Sequence, residues 1–426
     1  MEGKKMTSRE RLIKTINHQE PDRLVVDLGA TSQTGINASP LYELRKALGL
    51  EERPITIQEP AQLLGRVDED LLQALEIDVI GLWSPINTLG VKNENWKHWN
   101  MPDGTPTLMP GGMEFSIDEN GAIYTYPQGD KTVTPSMVMP ADGYFFDNID
   151  RSEEFDEDDL DPRRDFAHDF SIIDYETAKY LERESIRLYE DTDYGIVGMF
   201  GGAAFGDVFN LPACWVKEKP QGIRRMEDWL MAHILYPDYI LELFEFQSEI
   251  ALKNLEIYRQ AVGDRIQVIW LSGTDFGTQN GPFISAETYR KLYKPFQKKL
   301  NDWIHKNTNW KIFYHTCGSV FDLLDDFAEA GIDILNPVQC SAANMDPKTL
   351  KEKYGDKFVF WGGGIDTQQV LPFGTPEEVK AQVKERIKIF AKGGGYVFNT
   401  IHNIVGKTPV ENILAMFQAI NEARGI

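Results

Sequence analysis

The feature of this 426-residue chain that most constrains its fold is a repeated alternation of short apolar runs with longer segments of helical periodicity. The runs are rich in Val, Ile, Phe and Trp, and this alternation is typical of βα units around a parallel sheet. Eight runs fit the description, at residues 25–28, 79–83, 196–200, 267–271, 311–314, 332–335, 358–361 and 396–399. Eight parallel strands with helices between them predict a (β/α)₈ TIM barrel rather than an open doubly wound sheet, with residues 1–426 as one domain.

Helix start signals precede several of the segments between the runs. In TPEEVKAQVKERIKIFAK, Thr375 is suited to cap a helix and Pro376 to occupy its first turn. Thr408 and Pro409 stand in the same relation to KTPVENILAMFQAI, and Ser285 opens the amphipathic stretch SAETYRKLYKPFQKKLNDWIHK. We therefore expect one helix after each of these signals.

Two segments depart from the alternation. Residues 87–144 contain turn signals such as MPDG and MPGG between short alternating runs. This pattern predicts an antiparallel hairpin insertion after strand two, placed where it could form a lid. Residues 151–166, RSEEFDEDDLDPRRDF, are densely acidic and are expected to form an acidic surface link.

Charge and cysteine content exclude several classes of function. The chain has 66 acidic and 44 basic residues, a formal net charge of −22, and a field of that sign repels nucleic-acid phosphates and anionic membranes. Three cysteines are too few for a disulfide framework and suit a reducing compartment. Because no apolar run approaches the roughly 20 residues that span a bilayer, and the basic amino terminus lacks the apolar core of a secretory signal, we expect a cytoplasmic protein that binds neither nucleic acid nor membrane.

The most specific chemical signal is the segment KIFYHTCGSV, in which His315 and Cys317 follow an apolar strand two residues apart. Alternate side chains share a face in a strand, so both are expected to point into the mouth of the barrel. Imidazole nitrogen and thiolate sulfur together favour zinc, and Gly318 allows a close turn behind them. The pair alone is also compatible with a packed histidine and an inert thiol.

A third ligand is available at the same end of the barrel. The last strand leads into GGGYVFNTIHNIVGKTP, which delivers His402 to the mouth. Three protein ligands leave one coordination position open, as in a catalytic zinc site. Cys340 in LNPVQC is the competing third ligand, although it lies past the strand end, beyond Pro337.

Other predicted strands also end in polar residues, which core packing does not require. Each has a structural alternative when taken singly, such as a helix cap for Asp275 or a turn before Pro337 for Asn336. Their occurrence at the same end of consecutive strands favours a site. We predict Asp275, Asn336 and Asp366 as catalytic residues and Gln279, Asn280, Gln339, Trp361 and Phe205 as substrate-binding residues.

Nucleotide-binding motifs are not evident. The glycines of MFGGAAFGDVF lack the lysine and the spacing of a P-loop, and no G-x-G-x-x-G follows the first strand. The sequence therefore gives no support for a nucleotide cofactor.

The chain resembles the uroporphyrinogen decarboxylase superfamily, which includes zinc-dependent corrinoid methyltransferases. The resemblance is strongest in TDFGTQNGP, YHTCGS, ILNPVQCSAANMDP, FWGGGIDTQ and FNTIHNIVGKTPVENI, and weakest across residues 87–144. It implies the same (β/α)₈ barrel.

Within that superfamily the chain is more similar to the methyltransferases. The decarboxylases carry an arginine-rich segment, F-M-R-Q-A-G-R, where this chain has VVDLGATSQTG. The methyltransferase branch uses an H-x-C pair and a later cysteine as zinc ligands. His315 and Cys317 match the pair, and His402 stands at the position of the later cysteine. A neutral imidazole there implies a zinc better suited to an ether or hydroxyl oxygen than to a thiolate.

The resemblance also implies a partner, because the chain lacks the D-x-H-x-x-G motif that binds cobalamin. We hypothesise a methyltransferase that moves a methyl group between a small methylated substrate and a separate corrinoid (cobalamin) carrier protein, with zinc as Lewis acid. A methoxylated aromatic substrate would make the chain an O-demethylase component. The alternatives are a uroporphyrinogen decarboxylase-like lyase acting on a carboxylated substrate and a non-catalytic binding barrel. The sequence leaves open the substrate, the direction of transfer, the oligomeric state and the third metal ligand.

Overall fold

In the computed structural model, which describes residues 6–425, all eight predicted runs form strands of a single parallel sheet. The strands are β1 (Val25–Val26), β2 (Ile55–Glu59), β3 (Leu64–Gly65), β4 (Val79–Leu82), β5 (Lys97–Asn100), β6 (Pro106–Met109), β7 (Phe115–Ile117), β8 (Ile123–Thr125), β9 (Met137–Met139), β10 (Asp147–Asn148), β11 (Gly195–Met199), β12 (Val268–Ser272), β13 (Lys311–His315), β14 (Ile334–Asn336), β15 (Val359–Trp361) and β16 (Tyr396–Phe398). The parallel sheet has the order β1-β16-β15-β14-β13-β12-β11-β4. Because a parallel bridge joins Asp27 to Val79, the two edges meet in a nearly closed barrel, consistent with the predicted TIM barrel.

The helices alternate with the barrel strands, as the sequence predicts. They are α1 (Ser8–Ile16), α2 (Ala38–Ala47), α3 (Glu69–Ala74), α4 (Pro162–Asp165), α5 (Tyr175–Asp191), α6 (Met226–Leu235), α7 (Pro237–Val262), α8 (Ala286–Leu292), α9 (Lys294–Asn307), α10 (Leu324–Glu329), α11 (Pro347–Tyr354), α12 (Val370–Phe373), α13 (Pro376–Phe390) and α14 (Val410–Arg424). Short 3₁₀ turns lie at Pro127–Gly129, Glu157–Asp159, Gly263–Arg265 and Phe321–Leu323. None of the helices within residues 6–425 combines the length and apolarity needed to cross a membrane.

Two of the three helix start signals act at the expected residues. The third does not, because α14 begins at Val410 with Pro409 as its N-cap residue, and Thr408 donates to the carbonyl of Val405 instead of capping the helix. Thr375 and Glu378 form a reciprocal capping box at the start of α13, with Pro376 in its first turn. Ser285 accepts a hydrogen bond from the backbone of Thr288 and caps α8. The single helix expected after Ser285 is instead two, α8 and α9, because Pro295 has no N–H to continue the first helix.

Apolar side chains fill the barrel interior in layers. Val79, Val197, Val268 and Phe313 belong to this inner cluster, together with Trp361. Helix α1 closes the amino-terminal end of the barrel, and a larger apolar cluster lies between the strands and the surrounding helices. The carboxyl ends of the strands are thereby left as the open mouth.

The single hairpin predicted for residues 87–144 is not confirmed. Strands β7 to β10 form a four-stranded antiparallel sheet, while β5 and β6 join β2 and β3 in a second four-stranded sheet. Strand β6 pairs with β2 in parallel, and β2 precedes the second barrel strand. Alternating residues and turn signals indicate strands, but they do not specify a partner this distant in sequence.

The acidic segment 151–166 includes a 3₁₀ turn and helix α4. Most of its acidic side chains are exposed, whereas Arg151 is buried and donates to the carbonyls of Ala213 and Val216. Residues 1–5, which begin the basic amino-terminal segment discussed above, and residue 426 lie outside the described residues.

Candidate metal centre

Three side chains that can bind a metal meet at the mouth of the barrel. His315 is the last residue of β13, Cys317 follows two residues later, and His402 lies four residues beyond β16. Their donor atoms lie within 4.8 Å of one another. The Sγ of Cys317 is 3.2 Å from Nε2 of His315, and the two imidazole rings are 5.1 Å apart. The geometry thus brings His402 to the H-x-C pair.

The His315 ring is oriented by the neighbouring strand. Asn336, the last residue of β14, accepts a hydrogen bond of 2.6 Å from Nδ1 of His315 and donates one of 2.7 Å to the carbonyl of Trp361. Because the amide oxygen can only accept, the proton of the neutral ring is on Nδ1. Nε2 therefore presents its lone pair on the side of Cys317.

Two loop connections position the other ligand candidates. Gly318, with φ +84°, passes so close to Gly277 that a Cβ at Gly318 would be 2.3 Å from that backbone, which confirms the expected tight turn behind Cys317. His402 has φ +69°, and the N–H of Asn403 donates to its Nδ1 at 2.8 Å. Asn403 in turn accepts from the N–H of Gly35 and donates to the carbonyl of Ser32, so the loop is tied to the end of β1.

Asp275 lies beside this cluster. Its Oδ1 accepts a 2.6 Å hydrogen bond from the N–H of Cys317 and lies 3.8 Å from Nε2 of His315. About a third of the side chain, 33%, remains exposed towards the mouth. Among residues 6–425, no lysine or arginine forms an ion pair with Asp275, and the His315 ring beside it is an uncharged neighbour. Burial raises the pKa of the Asp275 carboxyl, and the backbone N–H of Cys317 opposes that rise.

The electrostatics of the cluster fit a bound cation. Burial lowers the pKa of His315 to about 4 and the pKa of His402 to about 3, so both rings are neutral at pH 7. Burial and the carboxylate of Asp275 raise the pKa of the Cys317 thiol well above its usual value. A divalent ion is the group that would convert that thiol to a thiolate. Two neutral imidazoles and one sulfur are a donor set that fits zinc, with Nδ1 of His402 exchanging its hydrogen bond from Asn403 for the metal.

Two of the predicted substrate-binding residues line a cavity of about 400 Å³ next to Cys317 and His402. Gln339 accepts the N–H of Gly318 at 2.7 Å, while Gln279 donates to Gln368 across the cavity. We call this space the metal-side cavity.

The remaining predicted residues lie elsewhere. The side chain of Asn280 is exposed, while that of Asp366 accepts backbone hydrogen bonds from its own loop. Trp361 is fully buried in the barrel interior, where it donates to Asp27. Phe205 is fully buried against other phenylalanines. Cys340 lines a different surface pocket and is not in the three-ligand cluster.

A second cavity at the mouth was not predicted. It has a volume of about 450 Å³ and is lined by the aromatic residues Trp83, Phe166, Phe170, Phe200, Trp215 and Trp270. We call it the aromatic cavity. Its lining includes the carboxyl groups of Glu59 and Asp207, both buried. Asp207 lies in the glycine-rich segment MFGGAAFGDVF after β11. An acidic residue in a loop that follows a barrel strand is a signal for a site residue, and it could have identified Asp207 from the sequence.

Comparisons with known proteins give a consistent family. The model of the family "Uroporphyrinogen decarboxylase (URO-D)" matches residues 215–423. A uroporphyrinogen decarboxylase from Coxiella burnetii is 23% identical over 192 residues, 43% of this chain and 47% of that protein. A methylated-thiol–coenzyme M methyltransferase from Methanosarcina mazei is 28% identical over 139 residues, 33% of this chain and 34% of that protein. The chain thus spans less than half the length of these curated relatives.

A solved structure extends the match in fold. The structure of a methyltransferase from Methanosarcina mazei superimposes with a TM-score of 0.55 and 16% identity, and the match covers 98% of this chain and 99% of that one. At this identity the likeness shows the fold alone.

Proposed function

Since this chain belongs to the uroporphyrinogen decarboxylase superfamily and resembles its methyltransferase branch, we propose that it is a methyltransferase. It moves a methyl group between a small methylated substrate and a corrinoid held by a separate carrier protein. The observation that carries the proposal is the meeting of His315, Cys317 and His402 at the barrel mouth. The field of the acidic chain, with its net charge of −22, would steer a basic patch on the carrier.

In this proposal His315, Cys317 and His402 hold a zinc ion. When bound, zinc supplies Lewis acidity to the heteroatom that carries the methyl group. Asn336 keeps the proton of His315 on Nδ1, so that Nε2 is free to bind. Asp275 accepts the backbone N–H of Cys317 and thereby fixes the turn that carries the thiol.

His402 supports an oxygen-bound methyl donor, such as a methoxylated aromatic compound. The ligand set has one sulfur and two neutral imidazoles, so it places less negative charge on the metal than a set with two thiolates. The O–CH₃ bond would break with its electron pair left on oxygen, which takes a proton from solvent, and the methyl group would form its new bond with an electron pair supplied by the reduced corrinoid on the carrier. The chain is then the O-demethylase component of a two-protein system.

The decarboxylase alternative is less well supported. A polycarboxylated substrate needs cations, and the residues that line the aromatic and metal-side cavities include no lysine or arginine. The segment that carries arginines in the decarboxylases reads VVDLGATSQTG in this chain.

Metal analysis of the purified full-length protein tests the proposal. We expect close to one zinc per chain, and we expect Cys317→Ala to lose it while the circular dichroism spectrum stays unchanged. Cys340→Ala is the matched control and should retain the metal, because Cys340 lies outside the cluster. A wild-type protein that is free of zinc and still transfers methyl groups to an added corrinoid carrier would contradict the assignment.

A further inference from the structure

The aromatic cavity lies over the carboxyl ends of β4, β11 and β12, whereas the metal cluster lies over β13 and β16. The two sites therefore share the barrel mouth. Ser32 lines the aromatic cavity, and its carbonyl accepts a hydrogen bond from Asn403, the residue after His402. On the other side, the carboxyl of Asp207 in the cavity wall interacts electrostatically with Asp275. A ligand in the aromatic cavity thus lies next to the metal centre.

The walls of the aromatic cavity suit a flat apolar group. Three tryptophans and three phenylalanines contribute to them, and aromatic faces stack against a planar ring. The volume of about 450 Å³ falls within the range of small-molecule sites. Trp270, which also packs against the apolar cluster of the barrel interior, contributes an apolar surface to this wall.

The ionisable side chains that line the aromatic cavity are all acidic. Glu59, Asp169 and Asp207 are its ionisable residues, and its lining includes no lysine, arginine or histidine. Asp169 is already paired with the buried guanidinium of Arg224 at 2.6 Å. Within residues 6–425, neither Glu59 nor Asp207 forms an ion pair with a lysine or an arginine.

The two unpaired carboxyl groups are held mainly by uncharged donors. Glu59 accepts hydrogen bonds from the backbone of Ala61 and Gln62 and from the hydroxyl of Thr88. Burial raises the pKa of Glu59, and burial with the nearby charge of Asp275 raises the pKa of Asp207 to about 8. An anionic ligand would be buried beside these groups without a counter-charge, which is costly.

We propose that the aromatic cavity binds the ring of an uncharged methoxylated arene and discriminates against its carboxylated analogues. The orientation of the methyl group towards the metal centre rests on the proposed function, but the binding preference does not. The preference follows from the aromatic walls and from the lack of a lysine, arginine or histidine among the lining residues.

Calorimetric titration of the full-length protein at pH 7 tests the preference. The two probes are 2-methoxyphenol, which is uncharged at that pH, and 4-hydroxy-3-methoxybenzoate, which carries a carboxylate. We expect the carboxylate to bind at least about tenfold more weakly. Equal or tighter binding of the carboxylate would overturn the proposal, and so would tighter binding of phenyltrimethylammonium, which would make the cavity a cation site.

Substitutions in the cavity wall test whether 2-methoxyphenol binds in the aromatic cavity. Phe170→Ala and Trp215→Ala remove parts of the wall and should weaken 2-methoxyphenol by about tenfold, whereas Phe373→Ala, at a position 79% exposed and outside the cavity, should not. If both wall variants keep their melting temperature and bind as the wild type does, the ligand does not occupy this cavity.

A gain-of-function variant tests the role of charge directly. Asn210 is half-buried in the cavity lining, and Asn210→Arg should bring the affinity for the carboxylated probe close to that for 2-methoxyphenol. Asn210→Gln, which adds no charge, should keep the wild-type preference. An unchanged preference in a folded Asn210→Arg protein would overturn the role assigned to charge.

If 2-methoxyphenol binds as expected but an added corrinoid carrier gains no methyl group, the cavity assignment stands and the proposed function fails.

Discussion

The two ends of the barrel surround an aspartate side chain in opposite ways. At the amino-terminal end, Asp78 is fully buried and contacts three guanidinium groups, those of Arg11, Arg23 and Arg424. It also accepts hydrogen bonds from Ser8 and from the backbone of β1. At the carboxyl-terminal end, Asp275 faces two neutral imidazoles and a thiol, with no recorded arginine or lysine partner within residues 6–425.

This difference separates a structural cluster from a functional one. The interactions of Asp78 connect α1, β1, β4 and the end of α14 in the folded chain, so the cluster stabilises the closed barrel. Within residues 6–425, the cluster around Asp275 has metal-binding donor atoms but no lysine or arginine, and its Cys317 and His402 line the metal-side cavity. In TIM barrels the amino-terminal face serves stability and the carboxyl-terminal face carries chemistry.

Removal of the structural carboxylate gives the largest expected effect. Asp78→Ala leaves the buried guanidinium of Arg424 without its carboxylate partner, while Arg11 and Arg23 keep one partner each, and we expect the free energy of unfolding to fall by about 3–5 kcal/mol. Urea denaturation monitored by circular dichroism measures this loss. Zinc content per folded chain should be unchanged, because the cluster lies at the opposite end of the barrel from His315.

Asp325→Ala is the matched control, since Asp325 makes an exposed ion pair with Lys357. Such pairs contribute at most about 1 kcal/mol. Equal destabilisation by the two variants would mean that the amino-terminal cluster has no special structural role.

Asp27 sharpens the comparison, because it is a buried carboxyl held without arginine. It accepts hydrogen bonds from the indole of Trp361 and the N–H of Ala30, and burial raises its pKa to about 7. The unfolded chain loses this proton near pH 4 and the folded chain near pH 7, so the group destabilises the fold as pH rises between those values. The full penalty approaches about 4 kcal/mol above pH 7.

Asp27→Asn should remove this pH-dependent loss. The difference in the free energy of unfolding between the wild type and the variant, measured at pH 5 and at pH 8, should therefore shift in favour of the variant at the higher pH. A difference that stays constant between the two pH values would show that Asp27 does not titrate in this range.

The barrel was predictable because its strands carry a local signal. Each barrel strand is a short apolar run, and all eight were identified within a few residues. The small sheets of the insertion were not, because β6 pairs with β2 across some fifty residues and neither strand specifies that partner. Pairing over such distances depends on tertiary contacts rather than on local propensity.

The candidate site was predictable to a similar extent. His315 and Cys317 share a strand face, and the barrel geometry brings His402 to them. Trp361 points into the barrel interior instead of the mouth, and the strand pattern does not tell these directions apart at a strand end. The aromatic cavity is formed by residues from widely separated segments, such as Trp83, Phe170 and Trp270, so no single motif encodes it.

Asn336 accepts the hydrogen bond that orients the ring of His315, a candidate metal ligand. Asn336→Ala removes the acceptor of the His315 proton, and we expect zinc affinity to fall by about 10–100-fold. Competition with a chelator measures this change in the dissociation constant. Asn412→Ala is a matched control, because Asn412 is equally buried but bonds to the carbonyls of Leu371 and Gly374. Equal zinc affinity in Asn336→Ala and the wild type would show that the bond to Asn336 does not support a metal ligand.

We expect the smallest effect from His402→Cys, which adds one negative charge to the candidate metal ligands at the barrel mouth. His402→Cys replaces a neutral imidazole by a group that binds metal as a thiolate, so the variant should retain zinc while the ion becomes a weaker Lewis acid. We expect methyl transfer from an oxygen donor to slow by about tenfold, which corresponds to about 1.4 kcal/mol. Val405→Cys adds a thiol to the same metal-side cavity without removing a ligand candidate, and it should keep the wild-type rate. We would measure the zinc content of both variants and their transfer rates from methoxylated and methylthio donors. These measurements test whether His402 sets the Lewis acidity of the metal. If the wild-type protein prefers a methylthio donor, the substrate role proposed for His402 is wrong. If His402→Ala keeps both zinc and rate, His402 is not the third ligand. The open cluster would then hold its cation through His315, Cys317 and a donor other than His402.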